Sequence, residues 1–270
     1  MRVVTSARDL GAPSGRRGVV MTMGALHEGH VALVQALRGL CDELVVTIFV
    51  NPLQFNDPAD LERYPRDLEA DLALLEPLGV DLVFAPSGDE IYPSGTPEVT
   101  VASGRLGEIL EGEFRPGHFD GMLTVVLKFL LITRADVAAF GEKDAQQLML
   151  IRRMVADLNV PVEILGVPTV RDEHGLALSS RNRFLTPSQR DAALALPRAL
   201  AAADAVARDG RPLDEAIATA RAVLDAEPTV ATDYLDVLEL APGRATIAGA
   251  IRVGDVRLID NVTPTLGLST

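Results

Sequence analysis

Five short apolar runs, separated by helical patterns, constrain this chain more than any other feature. The runs lie at 18–20, 43–50, 80–85, 136–140 and 161–167. Between them, 31–40, 67–78, 120–133 and 144–158 carry apolar residues at helical spacing or helix-start signals. The run 43–50 is β-branched and almost wholly apolar, as a strand buried on both faces requires. Strands alternating with helices at this spacing predict an α/β chain built on a Rossmann-like, doubly wound parallel sheet with right-handed crossovers. The segment 86–102 is rich in Pro, Gly and Ser, and 111–119 has mixed charge, so both read as loops.

The pattern changes near 170. Thr186-Pro187-Ser188-Gln189 is a capping box with Pro at the first helical position. Helices are expected at 187–208 and 212–226, then strands at 232–240, 245–253 and 256–262. We place a domain boundary at 169/170, dividing a larger domain, 1–169, from a smaller α+β domain, 170–270.

Within the first domain, Met23-Gly24-Ala25-Leu26-His27-Glu28-Gly29-His30 joins the strand 18–20 to the helix 31–40. Ligands of α/β sheets sit at such turns, and the helix N-terminus favours an anion. His27 and His30 are three apart and share a helix face. A plain pair of surface histidines, a zinc site and phosphate recognition are the three readings. Zinc needs a third ligand, and the strand–Gly–helix context favours phosphate. The strand 43–50 ends at Asn51-Pro52-Leu53-Gln54, leaving two uncharged amides there. Asn51 also reads as a turn starter. Gly141-Glu142-Lys143-Asp144 repeats the strand-to-helix logic with a cation, and Asp144 also reads as an N-cap, with Gln147 completing a capping box. Leu178-Ser179-Ser180-Arg181 sets two hydroxyls and a guanidinium in a polar loop suited to phosphates.

Composition sets limits. The formal charge of −13 argues against a nucleic-acid partner but not against an anionic substrate. No run of 18 apolar residues suggests a membrane span, and no long apolar segment marks a signal peptide. The single Cys41 fits a reducing cytoplasm.

Ordered blocks make the reading specific. T-M-G-A-L-H-E-G-H (22–30), I-F-V-N-P-L-Q-F (48–55), Y-P-R (64–66), L-T-V-V-L-K (123–128), F-G-E-K-D-A-Q-Q-L (140–148), G-V-P-T-V-R (166–171) and L-S-S-R-N (178–182) all occur. In these the chain resembles the pantothenate synthetase (pantoate–β-alanine ligase) family, a member of the His-x-Gly-His nucleotidyltransferase superfamily. The resemblance implies ligation of pantoate to β-alanine through a pantoyl adenylate, with release of AMP and pyrophosphate. It implies that Met23 to His30, Gly141 to Asp144, Val170 and Leu178 to Arg181 bind ATP. His27, His30, Lys143 and Arg181 act on the phosphates. Gln54 and Gln147 hold pantoate, with Gln54 also next to β-alanine. Asn51, Tyr64 and His118 are polar groups at or near the pocket, and Val125 and Val126 are apolar walls. Mg2+ is expected to be held mainly through ATP phosphates, with no metal site on the protein itself, and a homodimer is expected. The base that deprotonates β-alanine is open, with His30 and His118 as candidates.

Three departures are visible. Met21 stands where the family usually has Pro, Ala145 where a larger residue is common, and Leu178 where the loop often has Met. None removes a charge or donor. A nucleotidyltransferase acting on a phosphorylated acceptor is the main rival, and would be expected to carry Arg or Lys in place of Gln54 and Gln147. A catalytically idle nucleotide-binding protein is the rival from another class. The acidic charge and the lack of an RNA-binding domain disfavour a tRNA synthetase.

Overall fold

The apolar runs become neighbours in one parallel sheet. The structure, a computed structural model, describes residues 1–241 and 243–264. Strands β1 (Arg2–Val4), β2 (Arg17–Thr22), β3 (Glu43–Ile48), β4 (Leu82–Phe84), β5 (Val137–Gly141) and β6 (Glu163–Val167) lie in the order β1-β4-β3-β2-β5-β6, every pair parallel. Val19, Val20, Leu44, Val45, Val46, Val83 and Val137 have no exposed surface. Successive side chains point to opposite faces, so helices must cover both.

The helices of this part are α1 (Glu28–Arg38), α2 (Pro58–Arg63), α3 (Leu68–Leu75), α4 (Gly88–Ile91), α5 (Glu111–Phe114), α6 (His118–Thr133) and α7 (Ala145–Asp157). Val34 and Leu37 of α1 pack with Val20, Leu44 and Val46 of the sheet. The structure adds to the sequence reading, including the short helix α2. An edge strand, β1, forms beside β4. The loops 86–102 and 111–119 contain the single turns α4 and α5. Helix α6 starts at His118, after Gly117 in the left-handed region, rather than at 120.

The chain divides into two compact units, residues Met1–Glu142 with Gln147–Pro168, and Lys143–Gln146 with the residues from Thr169 onward. The second unit is α+β. Its helices α8 (Pro187–Ala193), α9 (Ala195–Arg208) and α10 (Leu213–Asp225) are followed by an antiparallel meander of β7 (Val230–Ala241), β8 (Arg244–Val253) and β9 (Val256–Val262). Ala199, Ala203, Ala216 and Ala220 are fully buried, and they pack with Leu196, Leu224, Leu235, Ile247 and Ile251 in one core. Small residues let α9 and α10 approach closely. The capping box at 186–189 forms, with the Gln189 amide donating to Thr186 Oγ1 at 3.3 Å and the Thr186 amide to Gln189 Oε1 at 2.9 Å. The helix expected over 187–208 is broken at Leu194. Pro197 has no N–H for the Ala193 carbonyl, so the helix must restart, and Pro is tolerated only in its first turn.

Candidate active site

Strand β2 lies between β3 and β5, so its carboxyl end opens onto the middle of the sheet edge. The Thr22 hydroxyl donates to the Thr47 carbonyl at 2.8 Å and accepts the Gly24 amide at 3.2 Å. The chain then turns through Gly24 at φ +79° and Ala25 at φ +52°. A Cβ at position 24 would sit 2.8 Å from Asp71 Oδ2, so only glycine fits. Ala25 is an L-residue in the left-handed region, which costs about 1 kcal/mol. Asp71 of α3, only 4% exposed, holds it there. One oxygen accepts the Ala25 amide at 3.1 Å and the other the Leu26 amide at 2.8 Å.

The two histidines cap the helix that follows. His27 is the N-cap of α1, and its Nδ1 accepts the Gly29 amide at 3.1 Å. His30 Nδ1 accepts the His27 amide at 3.2 Å. The ring centroids are 4.2 Å apart. Backbone N–H groups are donors only, so both Nδ1 atoms are acceptors. In the neutral rings the proton therefore sits on Nε2. Each imidazole is thus oriented as an Nε2–H donor at a helix N-terminus. Gly29 makes the room, since a Cβ there would lie 2.8 Å from the His27 ring.

At the end of β3, Asn51 N-caps a 3-10 turn, Pro52–Gln54. Asn51 is 1% exposed. Its Oδ1 accepts the Leu53 amide at 3.4 Å and the Tyr92 hydroxyl at 2.8 Å. Its Nδ2 donates to Gln54 Oε1 at 3.0 Å and to the Gly121 carbonyl at 3.1 Å. The turn sits on the backbone of α6, where a Cβ at Gly121 would be 2.2 Å from the Leu53 carbonyl oxygen. Gln54 Nε2 lies 3.2 Å from Met23 Sδ, so the two turns touch. Val125 and Val126 are buried farther along α6. Tyr64 is buried, edge-on to Phe55.

His118 is buried at the start of α6. Its Nδ1 is 2.8 Å from the Gln54 carbonyl and its Nε2 is 3.2 Å from Arg115 Nη1. A guanidinium only donates, so Nε2 accepts and Nδ1–H donates to the carbonyl. Arg115 Nη2 reaches the same carbonyl at 3.1 Å. The basic nitrogen of His118 therefore faces a cation, which argues against His118 as a proton acceptor for β-alanine. Its ring holds the Gln54 turn in place.

Gly141 ends β5, and Glu142–Asp144 form a 3-10 turn before α7. Lys143 Nζ is 3.8 Å from Asp144 Oδ2. Gln147 stands in the first turn of α7, half-buried. In the second unit, the Lys143 carbonyl accepts the Asn261 side-chain amide at 2.8 Å. The preceding residue, Asp260, receives both Arg171 terminal nitrogens, at 2.6 and 2.9 Å. Arg171 bridges to Ala177, and the Leu178 amide donates to the Val170 carbonyl at 2.9 Å. Ser179 then N-caps a 3-10 turn, Ser180–Phe184, that carries Arg181. Adjacent residues of β9 thus hold Lys143 and the 170–181 hairpin.

The first unit therefore brings the residues from Met23 to His30 together with Asn51, Gln54 and His118. The second brings Lys143 together with Val170, Leu178, Ser179, Ser180 and Arg181. Sequence reasoning missed Asp71, Tyr92 and Arg115. Asp71 carried a signal, because it lies four residues before the buried Leu75 and so on the inward stripe of α3.

A parallel α/β sheet with a His-x-Gly-His turn at the end of a central strand fits a nucleotide-handling enzyme, since the capped helix N-terminus there suits an anion. A family model described as pantoate-beta-alanine ligase matches residues 2–263. The chain belongs to the pantoate–β-alanine ligase family, whose known activity is the ATP-dependent joining of pantoate to β-alanine. It is 54% identical over 267 residues to the pantothenate synthetase of Salinispora arenicola, covering 96% of this chain and 94% of that one. The pantothenate synthetase of Streptomyces avermitilis is 47% identical over 315 residues, covering 95% of each. The crystal structure of pantothenate synthetase from Thermus thermophilus superposes with a TM-score of 0.92 at 46% identity, covering 97% and 99% of the two chains. The Francisella tularensis pantoate-beta-alanine ligase, solved with a β,γ-ATP compound and β-alanine, gives 0.82 at 37% identity over 97% of each chain.

Proposed function

We propose that this chain makes pantothenate through a pantoyl adenylate, with the His27–His30 turn binding the ATP phosphates. The observation that carries the reading is the pair of capping hydrogen bonds to the two Nδ1 atoms, which leaves Nε2–H as the donor of each neutral ring at a helix N-terminus. In the first step a pantoate carboxylate oxygen bonds to the α-phosphorus while the bond to pyrophosphate breaks. The carboxylate is already ionised at neutral pH and needs no base. Catalysis is then positioning and charge stabilisation, supplied by His27, His30, Lys143 and Arg181. In the second step the β-alanine nitrogen bonds to the acyl carbon, AMP leaves with the C–O electron pair, and the amine gives up a proton.

Met23 to His30, Gly141 to Asp144, Val170 and Leu178 to Arg181 form the nucleotide segments in this reading. Gln54 and Gln147 hold pantoate against the walls Val125 and Val126, with Tyr64 nearby. In this reading residues 1–169 supply the His27–His30 turn and the pantoate groups, and the smaller domain supplies the Leu178–Arg181 loop. Mg2+ brought in on ATP would neutralise phosphate charge. Among the described residues no group of three His, Cys, Asp or Glu side chains is placed to hold a metal. The protein is read as a cytoplasmic homodimer.

The test is pantoate-dependent exchange of labelled pyrophosphate into ATP without β-alanine. Exchange that requires pantoate, and falls at least about a hundredfold in His30→Ala, supports the adenylate. Its absence in folded, ATP-binding protein overturns it.

A further inference from the structure

Gln54 is one end of a chain of hydrogen bonds whose other end is Tyr92. We propose that Tyr92 is a positioning residue that acts through Asn51 to fix which end of the Gln54 amide meets the substrate, so that Gln54 offers N–H donors and selects an oxygen acceptor.

Two backbone groups identify the polarity that the Tyr92 hydroxyl reinforces. The Leu53 amide can only donate, and it points at one end of the Asn51 side chain at 3.4 Å. The Gly121 carbonyl can only accept, and it lies 3.1 Å from the other end. Asn51 therefore has its oxygen toward Leu53 and its nitrogen toward Gly121. The Tyr92 hydroxyl, 2.8 Å from Asn51 Oδ1, is then a donor. Asn51 Nδ2 also meets Gln54, at 3.0 Å, which makes that Gln54 atom Oε1. The Gln54 nitrogen is left facing Met23 Sδ at 3.2 Å. A thioether is a weak acceptor, so a hydroxyl or carboxylate oxygen of a substrate displaces it favourably.

Tyr92 suits this role. It is 7% exposed, and its ring packs beside Phe49, with centroids 6.1 Å apart, and under Lys128 Nζ at 5.7 Å. Burial pushes its hydroxyl up to about 12, so it keeps its proton throughout the neutral range. It enters from the segment after α4, far from Asn51 in sequence. The inference rests on Gln54 being a substrate-binding amide.

The experiment measures KM for pantoate and for ATP in the full-length enzyme. Tyr92→Phe removes one oxygen and keeps the ring. It is expected to raise the pantoate KM about tenfold, one hydrogen bond's worth, and to leave the ATP KM within twofold. Asn51→Asp removes the central N–H donors and is expected to act in the same direction, which covers the case of a poorly folding Tyr92 variant. Tyr92→Phe added to Asn51→Ala is expected to be no worse than Asn51→Ala alone, because both break one chain. A role in general stability would move the melting temperature without this split. Unchanged pantoate KM in Tyr92→Phe, or full additivity with Asn51→Ala, overturns the proposal. Gln54→Glu keeps the shape and loses the donors, and is expected to raise the pantoate KM at least as much. No effect there would overturn the placement of substrate at Gln54 itself, a separate failure.

Discussion

Asp71 Oδ1 accepts the Leu26 amide at 2.8 Å, although the two residues come from different helix–strand connections. The other oxygen takes the Ala25 amide, so one buried carboxylate holds the left-handed step of the turn. Replacing it with Asp71→Asn aims an NH2 at a backbone N–H. The variant is expected to lose about 2–3 kcal/mol of stability, the range for a charged hydrogen bond, and to lose exchange activity in parallel. Denaturant unfolding and pyrophosphate exchange check it. Unaltered values in both would remove Asp71 from the account.

The two histidines have separable jobs. Asn is as good an N-cap as any residue, so His27→Asn is expected to keep unfolding free energy within about 1 kcal/mol of the parent. Its exchange rate is expected to drop about a hundredfold, because the imidazole Nε2–H donor is lost. A variant that loses stability and activity together would assign His27 to capping alone.

Asn261 touches the backbone of Lys143. Asn261→Ala is expected to raise the KM for ATP several-fold, with the pantoate KM little changed, and Lys143→Met to act more strongly in the same direction. Steady-state kinetics with each substrate varied decide the matter. An effect on pantoate alone would place Lys143 elsewhere.

Acid stability has a local source in Asp172. Burial by itself raises this carboxyl, but the Leu176 and His174 amides and the Arg190 guanidinium outweigh it and hold it below the ordinary value. A depressed carboxyl stabilises the fold above its unfolded value of about 4, and that contribution fades as pH falls through the lower, folded value. Asp172→Asn is expected to be less stable near pH 7 and to show a flatter loss below about pH 4. Unfolding curves across that range test it. An identical acid limb in both proteins would contradict it.

Strand β3 and helix α1 are legible because their apolar residues recur at the spacing of the structure they form. Edge strand β1 is not, since Arg2 and Val3 are exposed and only pairing with β4 makes it a strand. The break between α8 and α9 is readable from Pro197 but hidden in an otherwise helical, Ala-rich composition. The site divides in the same way. His27, His30, Gln54 and Lys143 stand at strand ends, where chemistry shows in sequence. Asp71, Arg115 and Tyr92 act on backbone atoms or on another side chain from distant segments, and such contacts leave no periodic trace.

Gly121 limits how this enzyme could be adapted to other acids. Helix α6 and the Gln54 turn meet there with the Leu53 carbonyl against Gly121, leaving no room for a side chain at 121. Val125, one helical turn further on, is the residue proposed above as a pantoate wall, where altered bulk would change only the shape offered to the acid. A library that varied both positions together would confuse two outcomes. Changes at 125 would alter the bulk of the proposed wall, whereas any side chain at 121 would push away the Gln54 turn. Redesign of substrate scope therefore has to begin one turn above the joint and leave the joint untouched.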